Sequence, residues 1–259
     1  MQVLVFIRIY NFGMGRAMKT ASPLNAETDF TMNKQLIAAL TLFTAAAGAQ
    51  AAAVVGSSSL LTAGYANQLE SWLGQGAITL TSVYVKQAGN TAYDFHAAAD
   101  NKGATFTVMY ATNYTGVSAV IGGYNKDSWS SIGDYNYDWN LGNGDDNFVF
   151  NLTSGVKRAQ TNEYSTYNEG SYGPTFGGGH DIHVDYNLTG GYQYGWSYGG
   201  YTGTSIVDGS SYNYWYGTQI GALEVFTIST GTGVPEPTSL ALVGLALTAA
   251  GIARRQRRA

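Results

Sequence analysis

The sequence contains no cysteine in its 259 residues. It therefore has no disulfide bond, no thiolate metal site and no cysteine nucleophile. An oxidising compartment permits disulfides without requiring them, so the absence is compatible with export. Three catalytic motifs are also missing: a G-x-S-x-G elbow, an H-E-x-x-H zinc helix and a glycine-rich phosphate loop. These absences leave catalysis with little support.

Charged residues are sparse, at 12 % of the chain. Residues 52–233 contain five basic and fourteen acidic side chains, which gives this region a net formal charge of −9. A domain this acidic repels nucleic acid and anionic lipid over a screening length of about 8–10 Å. We therefore predict no nucleic-acid partner, and expect cations, neutral polymers or basic partners instead.

What the chain has in abundance is glycine, with 34 residues, and tyrosine, with 20. Aromatic and β-branched residues favour strands, whereas glycines favour turns. Apolar spacing predicts a helix over residues 60–73 that ends at Gly74 and Gly76. Alternating and β-rich patterns predict strands at 78–85, 105–110, 117–121, 148–152, 180–186 and 223–228.

Glycine clusters at 122–123, 142–144 and 177–179 separate these predicted strands. The glycine- and tyrosine-rich stretch 190–217 fits either a flexible loop or an irregular strand pair. The order of strands, with few helices, predicts a mainly β fold with an antiparallel two-layer architecture.

The N-terminal region has the layout of a signal peptide. Met32-Asn33-Lys34 precedes an apolar run at 36–47, and Ala49-Gln50-Ala51 offers an A-x-A cleavage site. A buried or amphipathic N-terminal helix is the alternative. A signal peptide begins at the start codon, so we interpret residues 1–31 as an over-called extension, with a long n-region as the alternative. Residues 32–51 are then the signal peptide.

The C-terminal region, residues 234–259, has three parts. Pro235-Glu236-Pro237 comes first, residues 239–253 are almost wholly apolar, and Arg254, Arg255, Arg257 and Arg258 follow. The 15-residue apolar run is shorter than the roughly 20 residues that span a bilayer, although arginines can snorkel and mark its cytoplasmic end. This order resembles the PEP-CTERM sorting signal. The resemblance implies a C-terminal hydrophobic helix and handling by an exosortase, a membrane peptidase of Gram-negative bacteria that make extracellular polysaccharide. A plain tail anchor is the alternative.

Residues 52–233 carry a series of short motifs. They are, in order, Phe95-His96, DNKGATFTV at 100–108, IGGY at 121–124, WSS at 129–131, FVFNL at 148–152, GPTFGGGHDI at 173–182 and IGALEVF at 220–226. In this order and spacing they resemble a TLDc domain, the fold of oxidation-resistance proteins, from about residue 60 to 228. The resemblance implies a β-sandwich with short helices, no established reaction and no cofactor. Eukaryotic members protect against oxidative damage and several bind the vacuolar proton pump, which an exported bacterial chain would not meet.

The sharpest local feature is Gly177-Gly178-Gly179-His180-Asp181. Glycines permit positive φ and close backbone approach, and their N–H groups could bind an anion; a loop crossing the end of the sandwich is the structural alternative. If residues 180–186 form a strand, His180 points inward and Asp181, His183 and Asp185 form an outward row. That row would be either a metal site or a solvated face.

Two further patterns have functional interpretations. Asp134, Asn136, Asp138 and Asn140 alternate, with Asp145 following, which imitates the oxygen spacing of an EF-hand. Trp139 occupies the position of the required glycine and Asp145 that of the glutamate, so an acidic turn is the alternative. The tyrosines and tryptophans, including Trp129, Trp139, Trp196 and Trp215, could form a flat platform for sugar rings, although aromatic residues more often fill β cores.

Together these features predict an exported, exosortase-sorted protein that passes through the inner membrane and reaches the cell surface or matrix. We expect a non-catalytic TLDc-like domain with a protective or adhesive role, and polysaccharide or an unidentified surface protein as its partner. The alternative is a glycan-binding module or a glycoside hydrolase acting on the secreted polysaccharide, whose paired carboxylates the sequence cannot place.

Overall fold

The computed structural model describes residues 51–211 and 217–231. The described residues form eleven strands and two helices. The strands are β1 (Ala53–Val55), β2 (Ile78–Val85), β3 (Thr105–Thr112), β4 (Ser118–Asn125), β5 (Asp134–Tyr137), β6 (Phe148–Asn151), β7 (Val156–Ala159), β8 (Tyr164–Asn168), β9 (His183–Val184), β10 (Gly190–Tyr192) and β11 (Thr218–Thr230). The helices are α1 (Ala63–Leu73) and α2 (Ala92–Ala99).

Nine strands form one sheet in the order β1-β2-β11-β3-β4-β6-β7, with β10 pairing the start of β11 and β9 pairing β10. β5 and β8 form a separate two-stranded sheet. The pairs are antiparallel apart from β1 with β2, which run parallel. The predicted mainly β fold with two sheets and short helices is confirmed. The predicted C-terminal hydrophobic helix lies outside the described residues.

The large sheet is buried on both faces. Side chains alternate along a strand, so in β3 Phe106 and Val108 face one hydrophobic cluster while Met109 and Ala111 face the other. α1 covers the first face. α2 covers the second, together with the fully buried Trp129.

Both helices begin and end where local chemistry requires. In α1 the side chain of Thr62 accepts a hydrogen bond from the Tyr65 N–H, and Gly74 ends the helix in the left-handed conformation, as predicted. The sequence analysis missed α2. Its start is fixed by the Asp94 carboxylate, which accepts the Thr91 N–H at 2.7 Å.

The glycine pair at 122–123 does not separate strands, contrary to the prediction. Both glycines lie inside β4, which continues to Asn125. A Cβ on Gly122 would lie 1.9 Å from the Thr107 carbonyl oxygen, and one on Gly123 would lie 2.4 Å from the Phe176 ring. These glycines therefore allow close packing within and onto the sheet.

The predicted strand 180–186 is also wrong over most of its length. Only His183–Val184 is strand, because Phe176 and Ile182 form a bridge that closes a loop between them. Inside that loop the His180 N–H donates to the Gly177 carbonyl, and His180 takes a positive φ of 58°. Part of the stretch 190–217 is ordered as β10 and an isolated bridge between Thr204 and Ser211.

We expect Gly122→Ala to lower the free energy of unfolding by about 1–3 kcal/mol or more, because the added methyl group overlaps a backbone oxygen that cannot move aside. Gly64→Ala is the matched control. A Cβ there meets nothing closer than 3.7 Å, in a helix, so it should raise stability by about 0.5–1 kcal/mol. Denaturant unfolding of both variants measures this, and equal effects would show that crowding does not require glycine in β4.

Candidate binding site around the glycine run

Each glycine of the run 177–179 is required for a different reason. Gly177 has a φ of +83°, and a Cβ there would lie 2.0 Å from an Asp181 carboxylate oxygen. Gly178 and Gly179 do not have positive φ. Their hydrogen atoms face rings instead: a Cβ on Gly178 would lie 2.8 Å from the Tyr164 ring, and one on Gly179 2.6 Å from Trp196 Cβ.

The N–H groups of this loop bind other parts of the protein. The Gly177 N–H donates to the Ser165 carbonyl at 2.9 Å, and the Gly178 N–H donates to Ser197 Oγ at 2.8 Å. These two donors are used within the domain and join the run to Ser165 and Ser197. The anion-binding interpretation and the structural interpretation both stay predictions.

Asp181 is buried, with 3 % of its surface exposed. Its carboxylate accepts backbone N–H groups from three successive residues, Trp196, Ser197 and Tyr198, each at 2.9 Å. Burial raises the pKa of Asp181 to about 6, and the three N–H donors oppose the rise by favouring the carboxylate. The prediction that Asp181 points outward is therefore wrong, because residues 180–182 are a turn rather than a strand.

His183 is also buried, against the prediction, with 6 % exposed. Its ring lies against Tyr172 and Tyr192, with centroids 4.6 and 4.8 Å away, and its Nδ1 is 3.1 Å from Thr175 Oγ1. Burial, followed by the neighbouring His180, lowers the pKa of His183 to about 3. Of the predicted outward row, Asp185 alone is exposed.

His180 is half-buried, and its Nδ1 lies 2.6 Å from the Tyr192 hydroxyl. Burial lowers the pKa of His180 from its ordinary value. Its ring stacks on that of His183 at 5.2 Å between centroids. Two stacked neutral imidazoles inside a ring of tyrosines make a packed aromatic cluster.

The residues with EF-hand spacing do not converge. Asp134 and Asn136 lie in β5, and Asn136 donates to Thr166 Oγ1 across the small sheet. Asp138 is buried against Lys126, with Oδ2 2.5 Å from Nζ. Asp145 Oδ1 instead lies 3.4 Å from Gln75 Nε2. Over residues 51–211 and 217–231, no group of three or more histidine, aspartate or glutamate side chains is placed to hold a metal ion.

The four tryptophans have different surroundings. Trp129 is fully buried and donates its Nε1–H to Thr105 Oγ1 at 3.0 Å. Trp139 is 74 % exposed and stacks on Tyr137, with centroids 5.9 Å apart and planes at 9°. Trp196 is 46 % exposed, and Trp215 lies outside the described residues. Burial excludes Trp129 from a surface platform, whereas Trp139 and Trp196 are exposed.

A pocket of about 330 Å³ opens beside the glycine run. Its wall is formed by Gly179, Tyr192, Tyr194 and Trp196. Tyr201, 71 % exposed, stands edge-on to Trp196 at 5.6 Å and 89°. We name Tyr194, Trp196 and Tyr201 the aromatic shelf. The sequence signal for it was the Gly/Tyr-rich stretch 190–217, whose path could not be assigned from composition.

Glu224 is a second buried carboxylate, and sequence reasoning gave it no role. It accepts hydrogen bonds from Ser58 Oγ at 2.5 Å, Ser59 N–H at 2.6 Å and Ser59 Oγ at 2.8 Å. It thus holds the segment after β1 against the centre of the large sheet.

Comparison with protein families agrees with this architecture. A family model for the TLDc domain matches residues 54–229. The chain belongs to the TLDc family. The match covers both sheets of the TLDc domain, including the glycine run and the aromatic shelf. The predicted family resemblance is confirmed. No curated protein sequence matches the chain.

A second model, the PEP-CTERM protein-sorting motif, matches residues 233–258 and follows the TLDc domain directly. This confirms the predicted sorting signal and supports export and exosortase-dependent sorting to the cell surface. No helix among residues 51–211 and 217–231 is long and apolar enough to cross a membrane. The predicted signal peptide up to residue 50, including Ala49 of the cleavage site, lies outside the described residues, as do the sorting motif Pro235-Glu236-Pro237 and the terminal arginines. Ala51 of the cleavage site is the first described residue and is exposed.

We expect Asp181→Asn to destabilise the TLDc domain by about 1–3 kcal/mol, because the amide presents N–H donors to one of three backbone donors. Asp185→Asn is the matched control on an exposed carboxylate and should lie within about 0.5 kcal/mol of wild type. Thermal melts at pH 7 compare the two. Equal losses would contradict the anchoring role of Asp181.

His183 should make stability depend on pH. An unfolded histidine titrates near pH 6.5, whereas the folded pKa of His183 is about 3. Between these values the unfolded chain binds a proton that the folded chain does not, so His183 lowers stability progressively as the pH falls from 6.5 towards 3.

Replacing His183 with glutamine tests this pH dependence of stability. Relative to His183→Gln, wild type should lose roughly 1–3 kcal/mol of stability between pH 7 and pH 4. The opposite contribution of Asp181, whose raised pKa favours the folded state at low pH, is common to both proteins and cancels in the difference. A difference that stays constant with pH would show that His183 is accessible to protons in the fold.

Proposed function

We propose that this exported, exosortase-sorted protein works at the cell surface or in the extracellular matrix by adhesion, with a TLDc domain that binds rather than catalyses. The observation that carries the proposal is the contrast at the glycine run. Asp181 and His183 are buried in the fold there, whereas the rings of Trp196 and Tyr201 are presented to solvent.

The buried polar groups already have partners within the protein. Asp181 is bound to three backbone N–H groups, and Glu224 to two serines. His183 contacts Thr175 between two tyrosine rings. A general acid or base must reach its substrate within hydrogen-bond distance, and these buried groups face the protein instead. This arrangement supports a structural use of residues that could otherwise perform chemistry.

A protective role against oxidants is a narrower alternative. Sulfur chemistry would have to come from methionine, because the chain has no cysteine. Met109 is the one methionine between residues 52 and 233, and it is fully buried in β3. This placement favours adhesion over oxidant scavenging at a sulfur atom.

A glycan-binding module is the second candidate, and the exposed rings of Trp139, Trp196 and Tyr201 favour it. Large exposed aromatic side chains are costly for solubility and commonly mark interaction surfaces. A glycoside hydrolase would additionally need two carboxylates about 5–9 Å apart across a sugar site. The aromatic shelf itself contains no carboxylate.

Adhesion and turnover can be separated with the full chain, purified in a detergent without a sugar headgroup. We expect it to sediment with native extracellular matrix from the producing cells and to release no reducing ends from that matrix. Heat-unfolded protein is the control for nonspecific capture. Release of reducing ends or consumption of peroxide, abolished by a point substitution, would overturn the non-catalytic proposal; failure to sediment would overturn adhesion.

A further inference from the structure

We propose that the pocket beside Gly179 binds a neutral pyranose ring of a polysaccharide, with the aromatic shelf as its stacking surface. This inference rests on the proposed adhesive function and gives it a site and a ligand class. The pocket volume of about 330 Å³ lies in the range of small-ligand sites, which start near 300 Å³.

The composition of the pocket wall points to an uncharged ligand with an apolar face. Within the part of the chain that the structure describes, three aromatic side chains and one glycine line it, and no charged side chain is among them. The C–H groups on a pyranose face complement the electron-rich face of an aromatic ring. The Tyr192 hydroxyl already lies 2.6 Å from His180 Nδ1 and the Tyr194 hydroxyl bonds the Tyr201 hydroxyl, so ring stacking is the main interaction that this wall offers. Among the described residues, the wall offers no cation to pair with a carboxylate or a phosphate.

The charge of the whole domain points the same way. Residues 52–233 carry a net formal charge of −9. A uronic-acid polymer would be repelled on approach, whereas a neutral polymer would not. The one arginine near the shelf, Arg158, already donates to the Thr204 and Ser205 carbonyls. A neutral polysaccharide is therefore the ligand that fits both the wall and its surroundings.

The shelf is fixed before any ligand arrives. The Trp196 N–H is held by the Asp181 carboxylate, and the Tyr194 N–H donates to the His180 carbonyl at 3.2 Å. The Thr202 and Gly203 N–H groups both donate to the Gly195 carbonyl, which closes the turn that carries Tyr201. A backbone held in place this way loses little conformational freedom on binding, so more of the stacking energy appears as affinity.

Gly179 determines how Trp196 is seated. A Cβ at this position would lie 2.6 Å from Trp196 Cβ and 2.9 Å from its ring. Any larger residue would displace the tryptophan from the pocket wall. The glycine run thus shapes the binding surface without contacting the sugar through a side chain.

Trp196→Ala tests the site, with Trp139→Ala as the matched control, since Trp139 is even more exposed but does not line the pocket. The probes are cellohexaose, laminarihexaose and mannohexaose as neutral hexasaccharides, and hexagalacturonate as the anionic one, titrated into the full chain by calorimetry. We expect at least one neutral hexasaccharide to bind the wild-type chain. Trp196→Ala should weaken the affinity for that probe by about tenfold or more, whereas Trp139→Ala should keep the wild-type affinity. Hexagalacturonate should bind at least about tenfold more weakly than the neutral probe at low salt.

A conservative variant separates stacking from folding. Trp196→Phe keeps an aromatic face and should retain most of the affinity, and a thermal melt shows whether Trp196→Ala remains folded. If Trp196→Ala is unfolded, Trp196→Phe and Gly179→Ala are compared with wild type instead. The site is supported if Trp196→Phe retains the affinity for the neutral probe and Gly179→Ala loses it.

The inference and the adhesive function fail in different ways. Wild-type sedimentation with native matrix, together with no binding to any neutral probe or with equal losses in the two tryptophan variants, overturns the pocket and leaves adhesion standing. Binding to hexagalacturonate as tight as to the neutral probe also overturns it. A wild-type chain that binds a neutral probe through Trp196 but does not sediment with native matrix keeps the pocket and removes the adhesive role.

Discussion

The buried carboxylate of Asp181 fixes the backbone of residues 196–198, the segment that carries Trp196 of the aromatic shelf. It binds three successive backbone N–H groups at 196–198, so the path of that segment is set by one side chain. The approach is possible because Gly177 has no Cβ, which would lie 2.0 Å from the carboxylate. Tyr164 and Trp196 then pack directly on the backbone of the next two glycines. The small sheet and the aromatic shelf meet at this loop.

Glycine also allows close packing in the central sheet. Gly123 lies beneath the ring of Phe176, the residue that opens the loop of the glycine run. Phe176 in turn packs edge-to-face against Trp129 at 5.3 Å. Glycines in β4 and in the loop thus let one buried aromatic ring connect the large sheet to the surface segment. The glycines of the family motifs at 121–124 and 173–182 therefore serve packing, and the rings of the aromatic shelf lie outside these motifs.

At this site ionisable side chains are buried and aromatic side chains are exposed. Asp181 and His183 are buried and hydrogen-bonded within the protein, whereas Trp196 and Tyr201 are presented to solvent. Burying a carboxylate is tolerable only with several hydrogen bonds, and Asp181 and Glu224 each have three. Exposing rings is tolerable in a domain of high net charge, which keeps the chain soluble. This distribution suits recognition of an uncharged surface.

By itself, the sequence determined the family and the sorting tail through the order of their motifs. Local period and turn chemistry determined the mainly β class, α1 and clearly alternating strands such as β2. Tertiary structure alone decided that Gly122 and Gly123 are strand residues, that Asp181 and His183 point inward, and that Trp129 is core while Trp196 is surface. Each of these depends on which distant group approaches: the Thr107 carbonyl, the N–H groups at 196–198, or the Thr105 hydroxyl. The pattern of residues along a segment shows its period but not which distant group packs against it. The glycine run 177–179 could therefore be recognised from the sequence, whereas the side chains around it are known only from the fold.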